Sequence, residues 1–126
     1  MPGLSTVELS KFENERIDGD IAAMMYHIAI ASEWHQQSDD PEFAPAAFER
    51  EGFIHASRQH QVAGVVSRYY KGRKDLLLLE IDEGKLKHQV VDEPGTAGEL
   101  FPHIYGKINK DAVVNADRFD PSRWPY

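Results

Sequence analysis

The sequence predicts an α+β domain, and three observations carry that prediction. Met25-Tyr26-His27-Ile28-Ala29, Gly52-Phe53-Ile54-His55-Ala56-Ser57 and Leu76-Leu77-Leu78-Leu79-Glu80-Ile81 have the length and composition of buried strands. Short helical signals fall between the early strands, and strand signals dominate the second half. The 126 residues suffice for one hydrophobic core and are too few for two.

Ser5-Thr6-Val7-Glu8 fits a capping box, in which serine and glutamate side chains each take a backbone N–H of the first turn. It predicts a helix over residues 5–17, ended by Gly19. Residues 1–24 read as an N-terminal arm, either an extension or a stretch upstream of a start at Met25. A strand is expected over 23–29. Ser32 is placed as the cap of a short helix holding Trp34, and Asp39-Asp40-Pro41 as a turn. Pro45 opens another short helix through Phe48 and Arg50, with Gly52 just past its end, where a left-handed backbone suits glycine. The next strand covers 53–56. Ser57 is expected to cap a helix over 58–71, on which Val62, Val65, Val66 and Tyr69 form one apolar stripe. Gly72 closes it. The leucine run reads as a central strand over 76–81, apolar on both faces. Further strands are expected over 88–91, 101–105 and 112–114, with Pro94-Gly95-Thr96-Ala97-Gly98 as a mobile loop over a site. The domain proper spans 25–117, and residues 118–126 form a tail that packs Trp124 back on it.

Composition narrows the function. With no cysteine, disulfides, thiol nucleophiles and thiolate metal sites are excluded. The longest apolar run is far too short to span a bilayer, and no signal peptide opens the chain, so no membrane association and a cytoplasmic location are expected. A net charge of −7 argues against non-specific nucleic-acid binding, which needs a basic field to displace counterions. Arg50, Arg58, Arg68, Lys71, Arg73 and Lys74 form a basic run, most simply a solvated helix face.

The histidines are the sharpest chemical signal. His27, His55 and His103 each lie among apolar residues, and an imidazole is costly to bury without a hydrogen-bond partner. Three in one small domain point to a polar site built on a sheet, although each alone fits a core histidine bonded to a carbonyl. His27 faces opposite to Tyr26 and Ile28, and Ser57 shares the face of His55 two residues on. His103 follows Pro102; proline within a strand implies an edge or bulge, which places His103 at a sheet margin, with Tyr105 on its face. His35, His60 and His88 have polar surroundings and read as surface residues. Glu80 and Glu93 sit at strand ends, where a carboxylate serves either as a general base or as a solubilising charge. A paired His-x-Ser phosphoesterase arrangement is disfavoured, because only His55-Ala56-Ser57 completes the motif.

Taken in order, Tyr26-His27-Ile28, Glu33-Trp34, Glu51-Gly52-Phe53-Ile54-His55-x-Ser57, Gln61-Val62, Leu76 to Asp82 and Phe101-Pro102-His103-Ile104-Tyr105-Gly106 resemble a bacterial family known only as domain of unknown function 952. The resemblance covers 25–117. That family is in turn similar to the ADP-ribosyltransferase fold, most closely its RNA 2′-phosphotransferase branch. The shared order is a Tyr-His strand, a short helix ending in Glu-Gly, a His-x-Ser strand, a helix, and a Leu-Leu-x-Ile-Asp strand. The resemblance implies an ADP-ribosyltransferase-like mixed β-sheet core with short helices inserted between the early strands. It implies NAD or a related nucleotide as ligand and, if there is turnover, an NAD-dependent transfer of ADP-ribose. His27 would then hydrogen-bond a ribose of NAD, His55 would line the nicotinamide pocket, and Ser57 would contact the adjoining ribose or amide. Tyr105 joins them as a cofactor-binding candidate, and His27, His55 and His103 are the catalytic candidates. Two features depart from that pattern. His103 stands where transferases place a late-strand glutamate, and no arginine stands at the place before the first strand that matches the 2′-phosphotransferases.

Two other readings stand beside the transferase. One is a non-catalytic module that binds a small molecule or partner on the same scaffold. The other is a metal site lined by His27, His55 and His103, for which the close His-x-His or His-x-x-x-His spacing is missing; no metal is expected. The sequence sets no oligomeric state.

Overall fold

The computed structural model describes residues 24–124, so the helix expected over 5–17 lies outside the described residues. In chain order the elements are β1 (Met24–Ile30), α1 (Ala31–Gln36), β2 (Glu42–Phe43), α2 (Phe48–Glu51), β3 (Ile54–His55), α3 (Val62–Tyr69), β4 (Leu76–Asp82), β5 (Val90–Pro94), β6 (Leu100–Ile104), β7 (Ile108–Asn109) and β8 (Val113–Arg118). The class is α+β, with short helices between the early strands. Two three-stranded sheets run β1–β4–β8 and β3–β6–β5, and β2 pairs β7. Every ladder among the described residues is antiparallel, which corrects the mixed sheet expected above. Parallel neighbours need a crossover that returns to the same sheet. Here the crossover through α3 leads from β3 in one sheet to β4 in the other.

The leucine run is central because β4 lies between β1 and β8, with apolar layers on both faces. On one face Leu77, Leu79 and Ile81 pack with Met25, Phe43, Ile54 and Ile104. On the other, Leu76 and Leu78 join Tyr26 and Ile28 against Val62 and Val66 of α3. Phe119 belongs to this second layer, and Trp124 sets its ring 5.4 Å from Tyr26 and 5.9 Å from Phe119. The expected packing of Trp124 on the body is thus observed, while β8 runs on to Arg118, into the stretch read as tail.

The two larger sheets meet at one bridge. The Tyr26 N–H donates to the Ser57 carbonyl and the Ser57 N–H to the Tyr26 carbonyl, both at 2.8 Å. Ser57 is therefore a bridge residue beyond the end of β3 rather than a helix cap. The helix expected over 58–71 begins later, as a 3-10 turn at Gln59–Gln61 leading into α3. The capping is done by Gln61, whose side-chain oxygen accepts the Arg58 N–H at 2.9 Å. Gly52 ends α2 at φ 81° as expected, and Gly72 follows α3 at φ 80°.

His103 does not lie at a sheet margin, because β6 is the middle strand of its sheet. Pro102 is tolerated there for a local reason. In an antiparallel strand the N and C=O of one residue point to the same side, and the Pro102 carbonyl accepts from Ala56 N at 3.0 Å. The missing N–H thus faces the point where the chain leaves β6 to bridge Tyr26 through Ser57.

Candidate functional site

Strand register assembles the site. His55 pairs with His103, Ile54 with Ile104, Val91 with His103 and Glu93 with Phe101. Directly paired residues share a face and successive residues alternate. Ile54 and Ile104 therefore enter the core. Phe53, His55, Ser57, Phe101, His103, Tyr105 and Glu93 fall on the opposite face.

On that face His103 stacks on Phe53 at 4.3 Å and 20°, and His55 meets His103 edge-on at 5.2 Å. The Glu93 Oε1 accepts from two donors, His103 Nδ1 at 2.7 Å and the Tyr105 hydroxyl at 2.5 Å. Those two bonds, Tyr105 first, hold the Glu93 carboxyl below the usual carboxylate range. The same bond raises the Tyr105 phenol, since ionising it would set two anions together. His55 is mostly exposed and lies 3.2 Å from Glu51 through Nε2.

His27 is placed differently. It is buried on the core side of β1, its ring 6.1 Å from Phe43. Nδ1 lies 2.6 Å from the His55 carbonyl; a carbonyl only accepts, so Nδ1 carries the hydrogen and donates. Burial lowers the His27 pKa to about 4, so the ring is neutral at pH 7 and Nε2 keeps a lone pair. That Nε2 is sealed from solvent and lacks a hydrogen-bond partner among the described residues. His27 thus ties β1 to β3 beside the Tyr26–Ser57 bridge.

A cleft of about 640 Å³ opens between this face and α3. His55, His103, Ser57 and Phe53 line it from the sheet side, Arg68 from α3 and Tyr70 just beyond it, and His27 is also among the lining residues. Structure therefore brings together His55, His103 and Ser57, with Tyr105 linked through Glu93. His27 reaches them through a backbone carbonyl. Pro94 and Gly95 form part of the rim, and the ring of Phe101 packs against Gly95 so closely that an added Cβ there would stand 2.7 Å from it.

Sequence reading named Glu93 only as one of several strand-end carboxylates, and it missed Glu51, Phe53 and Arg68 as parts of the site. The signal for Glu93 is the β5–β6 hairpin: opposite Phe101, it is the diagonal neighbour of His103, within reach of a long side chain. Among the described residues no three His, Asp or Glu side chains converge as metal ligands. No helix among them is long and apolar enough to cross a membrane.

The fold is similar to that of CC0527 from Caulobacter crescentus. Its crystal structure is 26% identical, with a TM-score of 0.70 over 77% of this chain and 86% of that one. The solution NMR structure of the same protein gives 24% identity and a TM-score of 0.62 over 78% and 85%. No curated protein matches the chain. The family described as protein of unknown function (DUF952) matches residues 28–116, most of the sequence and most of both larger sheets, and the chain belongs to that family.

Proposed function

We propose that the cleft binds NAD or a related nucleotide, on an ADP-ribosyltransferase-like scaffold. The observation that carries this reading is the convergence of His55, His103 and Ser57 on a cleft of about 640 Å³ that Arg68 and Tyr70 also line. A volume of that order suits a small molecule. Aromatic faces at Phe53 and Tyr70 suit a flat base, and hydroxyl and imidazole groups suit a ribose or amide. Arg68, with its guanidinium 5.9 Å from the Tyr69 ring and no carboxylate partner among the described residues, suits a phosphate. On this reading His55 and Ser57 contact the nicotinamide end, and Tyr105 acts through Glu93. His27 supports the site by holding β1 and β3 in register. A cytoplasmic location accords with NAD as ligand.

Calorimetric titration with NAD tests the reading. Saturable binding is expected, weakened about tenfold in Ser57→Ala if one hydrogen bond worth about 1.4 kcal/mol is lost. No binding by the native protein at millimolar NAD refutes it. A second reading, binding without turnover, is favoured by one observation: His103 stands where transferases place a late-strand glutamate. NAD bound for hours without release of nicotinamide supports that alternative.

A further inference from the structure

We propose that His103, oriented by Glu93 and Tyr105, is a general base that takes a proton from a water or alcohol bound in the cleft. This rests on the nucleotide reading for the identity of the substrate, but its geometry stands by itself. An ionised carboxylate can only accept hydrogen bonds, so at 2.7 Å from Glu93 Oε1 the His103 Nδ1 must be the protonated nitrogen. In the neutral ring Nε2 then carries the lone pair. That atom has no hydrogen-bond partner among the described residues, yet, unlike His27 Nε2, it is not sealed from solvent. His103 itself lines the cleft.

The ring is also fixed in place. Phe53 stacks on one side at 4.3 Å and His55 abuts it at 5.2 Å. Glu93 is in turn fixed by the Tyr105 hydroxyl at 2.5 Å. The arrangement is the carboxylate–imidazole pair by which a base is held in one tautomer, the role that the aspartate plays in hydrolytic triads. The titratable groups facing His103 are Glu93 from β5, Tyr105 beyond the end of β6, and His55 from β3, which is itself 3.2 Å from Glu51.

With NAD as substrate the step balances without any redox partner. The acceptor oxygen forms a bond to C1′ of the nicotinamide ribose as its proton passes to His103 Nε2. The C1′–N bond breaks, and its electron pair leaves with nicotinamide, cancelling the charge on the pyridinium nitrogen. Water as acceptor gives ADP-ribose, and an alcohol gives an O-linked ADP-ribosyl product. Glu93 and Tyr105 are positioning residues here, because neither touches the reacting atoms.

Two measurements on the full chain decide the matter. The first is the two-bond nitrogen–proton correlation pattern of the His103 ring by NMR. It is expected to show the Nδ1–H tautomer, with loss of that preference in Glu93→Gln. An Nε2–H tautomer in the native protein overturns the proposal whether or not NAD binds. The second is nicotinamide release from NAD, with NAD binding measured in parallel. Release is expected to fall about a hundredfold in His103→Gln and at least about tenfold in Glu93→Gln, with KM unchanged in Glu93→Gln. NAD that binds but releases no nicotinamide overturns the base while the binding reading stands. NAD that does not bind refutes the binding reading, and the tautomer still decides whether His103 is built as a base. Circular dichroism establishes that each variant is folded, and the native tautomer needs no variant at all.

Discussion

Substituting asparagine for His27 removes a buried titrating ring while keeping an N–H donor near the place of Nδ1, within reach of the His55 carbonyl. The native ring is buried, and burial lowers its pKa from 6.5 to about 4. The sign follows from proton counts. Between these two values the unfolded chain binds a proton at His27 and the folded chain does not, so stability rises with pH across the window. The contribution is therefore complete above about pH 6.5 and declines as pH falls toward 4. At ~1.4 kcal/mol per pH unit per proton, a fall from 6.5 to about 4 amounts to about 3 kcal/mol. Carboxylates such as Glu93, Asp75 and Asp120, whose pKa values are lowered in the fold, also lose stabilisation in acid. They do so equally in both proteins and cancel in the difference. Urea unfolding of the native chain and His27→Asn at intervals from pH 4 to 8 gives that difference directly. The native chain's advantage should shrink by about 3 kcal/mol over the range. A difference that stays constant with pH refutes the burial and the neutral ring together.

Further outcomes follow from the same geometry. Gly95→Ala would place a Cβ 2.7 Å from the Phe101 ring, and overpacking of this kind costs about 1–3 kcal/mol, readable as a lowered urea midpoint. Leu79→Ala, at a fully buried position in the middle strand β4, should cost about 2–5 kcal/mol, measured in the same way. Tyr105→Phe removes the larger of the two hydrogen bonds that depress the Glu93 carboxyl. Its carboxyl carbon, followed by NMR, should then titrate at higher pH, and an unchanged midpoint contradicts the Tyr105–Glu93 bond.

Much of the fold was legible because local chemistry and tertiary role agree. The leucines of β4 are apolar on both faces because two strands flank it and apolar layers cover both sides. Val62 and Val66 mark the buried stripe of α3, and Gly52 takes the positive φ that ends α2. What escaped depends on pairing between distant segments. The β2–β7 pair joins Phe43 to Ile108 across sixty-odd residues, with only two residues on each strand and no periodicity to read. Ser57 looked like a helix cap because serine suits that place, but its backbone is committed to Tyr26. Pro102 suggested an edge, whereas the chain at Ala56 and Ser57 turns away where a donor would have been needed. At the site, His55 and His103 were legible from their apolar surroundings and Ser57 from its place two residues after His55. Glu93 could be tied to His103 only through the register of the β5–β6 hairpin.

In the proposed nucleotide site His55 and His103 form the wall, while His27 is a buried strut. Histidine ring resonances followed through an NAD titration test this claim most directly. The His55 and His103 signals should shift together and saturate, whereas His60, 77% exposed and outside the cleft lining, should stay in place. Unmoved His55 and His103 resonances at millimolar NAD contradict the claim.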